Sequence, residues 1–331
     1  MYVWHDDWLA RYSEEVIDPQ LPIVDPHHHL WSIDGMSHYM LDDLHADTGA
    51  GHLIESTVFM ECKWGYRTNG PEHLQPVGET ETIAELAERS GASGAEIKGI
   101  VGFADMSLGD EVHDVLVAHT EAGRGRFRGI RHATAFDPSS EIRRTHTRPT
   151  PQLMSDPQFR RGVQRLADLD LTFDAWLYHP QITELTELAR AVPDCTFVLD
   201  HLGGMVGTGP YAGHRTAILE QWRLDMTELA QCPNVMLKIG GIGMVLFGLG
   251  FERRLTPPSS DDLVAAWREP IELAIQLFGP QRCMFESNFP VDKMSCSYVV
   301  LWNAFKKIAA GMNTSETEAL FHDTATRVYR L

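Results

Sequence analysis

Basic side chains are scarce in this sequence of 331 residues: 28 Lys and Arg stand against 46 Asp and Glu, a formal net charge of −18. Neutralising nucleic-acid phosphates needs a basic face, so the balance argues against a nucleic-acid partner and against docking on an anionic membrane. Long apolar runs are missing too. No stretch reaches the ~20 residues of a membrane span; the longest contender, 235–251, carries Lys238 and several glycines. Residues 1–18 are acidic and aromatic, without the basic start and apolar run of a secretory or transit signal. The five cysteines (Cys62, Cys195, Cys232, Cys283, Cys296) are scattered, odd in number and without Cys-x-x-Cys spacing. They read as reduced, buried thiols of a cytoplasmic protein.

What is present is a rhythm. Hydrophobic residues make up 43% of the chain, enough for a sizeable core, and charged residues only 22%, so the chain does not read as disordered. After residue 20, short β-branched apolar runs alternate with longer amphipathic segments. Strands are predicted at 23–27, 56–61, 97–103, 127–132, 171–176, 196–200, 235–239 and 283–286. Helices are predicted at 79–88, 110–121, 156–169, 182–191, 214–230, 260–278, 297–310 and 315–321. Asp156-Pro157 and Ser260-Asp261-Asp262 carry helix-opening chemistry. Length alone suggests two domains of ~150 residues. Eight strand–helix units instead predict one α/β domain, a (β/α)8 TIM barrel over 21–331, with 1–20 as an N-terminal extension.

Three connections are long: 62–76, 136–151 and 240–258. Each follows the C-terminal end of a predicted strand, where a parallel barrel carries its active site, so each reads as a lid or pocket wall. The last is Gly-rich and apolar, with Met244, Leu246, Phe247 and Phe251. It serves equally as a contact between subunits of a homo-oligomer. Arg143, Arg144 and Arg148 on the second loop read as a solvated charge run.

Residues able to do chemistry gather at the same strand ends. Asp25-Pro26-His27-His28-His29 closes the first strand. Side chains two apart share a face, so His27 and His29 point together and suit a divalent metal, most often zinc. A strand edge held by hydrogen bonds is the alternative. His179 follows the fifth strand and His201 the sixth. One such histidine is commonly a satisfied core residue; four from three strands at one mouth point to function. Arg131, near the end of the fourth strand, would grip a substrate carboxylate in a bidentate fork. Glu61 ends the second strand and faces the mouth or pairs with Lys63 or an arginine. Lys238 closes the seventh and needs a carboxylate partner inside a barrel. Trp31, Trp64, Trp176 and Tyr178 either wall a pocket or pack the core. Glu61, Trp64, Tyr178, Lys238 and Arg131 are therefore the substrate-binding expectations.

Three segments carry a family resemblance: Asp25-x-His27-x-His29, the turn Asp200-His201-Leu202-Gly203, and Arg282-Cys-Met-Phe-Glu-Ser-Asn-Phe-Pro-Val-Asp292. Over 21–331 they resemble the amidohydrolase superfamily, most closely its family 2 branch of sugar-lactonase and 2-pyrone-4,6-dicarboxylate lactonase-like proteins. The resemblance implies a TIM-barrel hydrolase with a divalent metal, zinc first, on His27, His29 and His179, although some such relatives work without metal. It implies that His201 polarises substrate or moves a proton. The superfamily's eighth strand usually ends in an Asp that ligates metal and activates water. Asn288 stands at that place here, and a neutral amide cannot be a general base; Asp292 or Glu286 would take over. The expected activity is water-driven opening of a lactone or related carbonyl compound, with His201, Asp292 and Asn288 catalytic and a small anionic molecule as partner. Non-oxidative decarboxylation of an aromatic acid is one alternative, and a degenerate barrel that binds a small molecule without turnover is the other.

Overall fold

The computed structural model describes residues 4–33, 37–92 and 94–331. In chain order its strands are β1 (Pro22–His28), β2 (Trp31–Ile33), β3 (Ser37–Tyr39), β4 (Leu53–Met60), β5 (Glu96–Gly102), β6 (Phe127–Ile130), β7 (Thr172–Ala175), β8 (Thr196–Leu199), β9 (Val235–Ile239) and β10 (Cys283–Phe285). β2 and β3 form a small antiparallel pair; the other eight make one all-parallel sheet in the order β1-β4-β5-β6-β7-β8-β9-β10. The sheet curls into a barrel whose seam is sewn at the top. Asn288 N–H donates to His27 O at 2.9 Å, and His29 N–H to Phe289 O at 2.7 Å. Every predicted strand is present. Strands buried on both faces need near-continuous apolar runs, and β9 is buried along its whole length.

Several strands end one residue before the predicted limit, at the positions where chemistry begins. Glu61, Arg131, Asp200 and Glu286 lie just past β4, β6, β8 and β10, yet each N–H still bonds the neighbouring strand, to Val101 O, Gly102 O, Ala175 O and Ile239 O. One ladder bond fixes the backbone while the side chain faces the barrel mouth.

Helices cover the outside: α1 (Asp6–Leu9), α2 (Leu41–Thr48), α3 (Val77–Ser90), α4 (Val112–Ala122), α5 (Pro157–Asp168), α6 (Ile182–Ala191), α7 (Arg215–Leu229), α8 (Ser260–Phe278), α9 (Tyr298–Ala309), α10 (Thr314–Glu318) and α11 (Thr324–Tyr329). Asp156 caps α5, its carboxylate accepting from Gln158 N at 2.7 Å. Ser259 and Asp262 form a reciprocal capping box on α8. α11 falls beyond the predicted tail helix and closes the barrel from below. Its Ala325, Val328 and Tyr329 pack with lumen residues Val24, Val58, Met60, Val101, Val198, Met236 and Met284. The lumen is thus a packed core. Residues 4–21 run along the outside, Glu14 and Glu15 receiving Asn303 Nδ2 and Ile17 receiving Lys306 Nζ. Among the described residues no helix is long and apolar enough to cross a membrane.

Candidate active site

Above the apolar plug lies a layer of buried charge. Lys238 Nζ sits 2.8 Å from Asp174 Oδ2 and 3.2 Å from Asp200 Oδ1, with all three side chains fully buried. Tyr329 Oη also donates to Asp174, and Lys238 lies over the Tyr329 ring. Burial opposes the ammonium charge, but Asp174 and Asp200 outweigh it and raise the Lys238 pKa. Burial likewise works against the Asp200 carboxylate, and Lys238, His201 and Arg131 reverse that and lower it.

The histidines occupy the next layer. His27 Nδ1 is 2.7 Å from Glu286 Oε2 and His201 Nδ1 is 2.6 Å from Glu286 Oε1. One buried carboxylate therefore bridges two imidazoles. Burial would raise Glu286, but the two histidines bring it down to about 2, so it is ionised. The other nitrogen of His27 meets Arg131 Nη1 and His29 Nε2, each at 3.3 Å. Glu286 accepts at 2.7 Å and Arg131 donates, which outweighs Lys238 Nζ 3.4 Å from Nδ1, so His27 carries its proton on Nδ1. His29 Nδ1 donates to Met60 O at 2.8 Å, leaving Nε2 as its lone pair. Burial, more than any charge, holds His27 and His29 well below the usual histidine range.

Local backbone aims these groups. His201 and Leu202 both have φ 53°, and Asn288 has φ 55°, left-handed values that side chains other than Gly adopt at a cost. Gly241 makes room for the His201 ring: a Cβ there would lie 2.7 Å from it. Gly240 does the same for Glu286, where a Cβ would lie 2.2 Å from Cγ. The glycines that open the 240–258 loop are thus required by the two residues beside them. Asp25, raised to about 6 by burial, accepts Ser287 N at 2.9 Å and Tyr298 Oη at 2.9 Å and so ties the seam.

A cavity of about 490 Å³ opens over this floor. His29, Arg131, His201 and Asn288 form its base; Trp31, Trp176, Tyr178, Met244 and Leu246 form its walls. The rim comes from the loop after β6, with Glu141, Arg143, Arg144 and His146. His146 Nε2 stands 3.3 Å from Glu61 Oε2.

Measured against the expectations, His27, His29, His201, Asn288, Arg131, Glu61 and Tyr178 come together at this mouth. His179 does not. Past β7 the chain turns at residues 179–181, and the His179 ring goes against Tyr211 with Nδ1 accepting Val206 N at 3.2 Å. Trp64 lies outside the cavity lining, its indole donating to Ser32 O at 3.0 Å. Lys238 sits beneath the cavity, because a buried ammonium needs the carboxylates of the lumen. Arg131 lines the base but is committed: Nε donates to Glu61 Oε1 at 2.9 Å, Nη2 to Glu61 O and Nη1 to His27. Asp292 stands behind Asn288, accepting Asn288 Nδ2 at 2.8 Å and Gly243 N at 2.7 Å; burial raises it to about 7. Arg143 and Arg144, read as a solvated run, border the cavity, and the 240–258 loop supplies a wall. Sequence reasoning missed His146, Asp174 and Asp200. The strand-end position of Asp200 was the available signal; His146 had none.

The ligand atoms that gather are those of His27, His201 and Glu286, all within 4.8 Å of one another. Two imidazoles and a carboxylate are a zinc-type donor set. The charge around them agrees. Arg131 and Lys238 face the buried Glu61, Asp174, Asp200 and Glu286, two cations against four carboxyl groups. The cluster is short of positive charge, and protons on its imidazoles or a divalent ion would balance it.

Comparison with known proteins places this geometry in context. Residues 24–331 match the family model described as amidohydrolase. The chain is 35% identical over 332 residues to the uncharacterized protein y4mH of Sinorhizobium fredii, covering 94% of this chain and 99% of that one. It is 27% identical over 255 residues to L-fucono-1,5-lactonase of Burkholderia multivorans, covering 76% and 77%. Among solved structures, an amidohydrolase from Burkholderia multivorans with bound zinc superposes with a TM-score of 0.71 at 24% identity, covering 93% of this chain and 99% of that one.

Proposed function

The chain belongs to the amidohydrolase family, and from that premise we propose that it opens a lactone with water. The observation that carries this reading is the His201 ring at the cavity base with Nδ1 2.6 Å from the buried, ionised Glu286. A carboxylate that holds Nδ1–H orients the imidazole and leaves Nε2 to take the proton of an attacking water. Asn288 donates Nδ2 to Asp292, so its carbonyl oxygen is left to accept from that water and aim it. Asp292 is a positioning residue in this account, and His201 is the base. Arg131, locked by Glu61, is a fixed cation at the cavity base and stabilises the oxygen that becomes negative when the carbonyl is attacked. Trp31 and Trp176 exclude solvent from the ring. Arg144 at the rim carries positive charge, which suits a small anionic substrate.

His27, His201 and Glu286 would hold a divalent ion, zinc first, in an alternative state in which His201 is a ligand and not the base, and such an ion would supply Lewis-acid polarisation of the carbonyl. The named lactonase relative supports the substrate class. Five free cysteines, four of them buried, support a cytoplasmic location. Decarboxylation of an aromatic acid is the second reading, favoured by the neutral Asn288 where a water-activating carboxylate is expected. A panel of aldonolactones and hydroxybenzoates, scored for acid release and for CO₂ release, separates the two. Acid from lactones supports the proposal; CO₂ alone replaces it with the second reading.

A further inference from the structure

A second histidine–carboxylate pair stands apart from the one just described. Glu61 follows β4 and His201 follows β8. These are the second and sixth strands around a barrel of eight, so they lie on opposite sides of the mouth. Glu61 is fully buried; its Oε1 takes Arg131, and its Oε2 lies 3.3 Å from His146 Nε2, an ion-pair contact.

His146 is on a loop, yet the loop is fastened on both sides of it. Thr147 Oγ1 donates to Ala133 O at 2.6 Å, Thr145 and Thr147 hydroxyls meet at 2.7 Å, and Tyr178 Oη donates to Arg143 O. The Phe103 ring meets the imidazole edge-on at 5.6 Å. Charged and titratable groups lie near it: Glu61 and, behind it, Arg131; His132 and, 3.7 Å further, Asp105; Glu141, Arg143 and Arg144 line the same cavity. With Nε2 turned to Glu61, Nδ1 remains for a bound molecule, in a ring that lines the cavity.

We propose that His146, oriented by Glu61, is the general acid that protonates the departing ring oxygen of the lactone. The inference rests on the lactone-hydrolysis reading. Water oxygen bonds to the carbonyl carbon and gives its proton to His201 Nε2. The ring C–O bond then breaks, its electron pair goes to the ring oxygen, and that oxygen takes the proton from His146 Nδ1. The product is the open hydroxy acid, and solvent exchange returns His201 to its neutral and His146 to its protonated form. A surface ion pair would explain the same contact without catalysis, so the test must separate the two.

An alkoxide leaving group needs the acid and a phenoxide needs it little. The test compares wild type and His146→Gln on an aldono-1,5-lactone and on dihydrocoumarin, whose ring opening releases a phenol. The expected result is a kcat loss of about 10²–10⁴-fold on the aldonolactone and under about tenfold on dihydrocoumarin. Thr147→Val, which frees the loop but keeps the imidazole, shows the same selectivity at smaller size. An equal loss on both substrates, or no loss on the aldonolactone, overturns the inference. No turnover of either lactone by the wild type overturns the hydrolysis reading itself, and the inference with it.

Discussion

The floor and the rim of the barrel mouth use the same residue types under opposite conditions. On the floor, His27, His201, Glu286, Lys238, Asp174 and Asp200 are buried and bonded to one another. On the rim, His146 and Arg144 are on a loop, partly solvated, and among the described residues Arg144 has no ion-pair partner. Charge on the floor is fixed before any substrate arrives, and that preorganisation is what transition-state stabilisation needs. Charge on the rim is left open for the substrate to complete. In the proposed reading the family chemistry belongs to the floor and the choice of substrate to the rim.

Removing the base should break this division most severely. His201→Asn is expected to lower kcat by about 10²–10⁴-fold while the circular dichroism spectrum stays native. Lys238→Met strikes the same layer through stability. It leaves Asp174 buried without a counter-charge and Asp200 with only Arg131 at 3.7 Å, and urea unfolding should show a loss of about 3–5 kcal/mol. A pH series sharpens the floor further. Burial raises Asp292 from 3.8 to about 7, so the folded protein holds a proton that the unfolded chain has released. That stability is fully present below pH ~4 and is lost as pH rises through ~7. Asp292→Asn should therefore flatten the fall in stability over that interval. A residual slope remains from Asp25, raised to about 6, and Glu79, raised to about 8, both by burial. The rim gives the smallest effect: Arg144→Ala should raise KM for an anionic lactone by about tenfold and change stability by no more than ~0.5 kcal/mol. A large stability loss at Arg144, or none at Lys238, would erase the contrast.

The same contrast governs what the sequence discloses. Strand ends are readable, because period-two alternation and a parallel barrel fix which side chains reach the mouth. His27, His29, Glu61 and Arg131 follow from that rule, as does the need of Lys238 for a carboxylate; Asn288, three residues past β10 with φ 55°, comes only from the family resemblance. His179 obeys no such rule. It lies beyond the end of β7, where the chain has already turned, and its ring packs on Tyr211. Trp64 fails for the same reason, since a loop between strand and helix has no period. His146 lies in the loop after β6, and its approach to Glu61 depends on the bonds from Thr147 and Tyr178 that pin the return of the chain. Loop closure of that kind is tertiary. α11 lies past 321, where the predicted tail helix stops; its role as a plug appears only once the lumen exists.

The most direct test is hydrolysis of an aldono-1,5-lactone in ¹⁸O-water, following rate, label and CO₂ together. Lactone opening by an attacking water predicts accelerated turnover by the wild type, one ¹⁸O in the product carboxylate, no CO₂, and loss of the acceleration in His201→Asn. Lactone left at its spontaneous rate while a hydroxybenzoate releases CO₂, or full acceleration retained in His201→Asn, would contradict it.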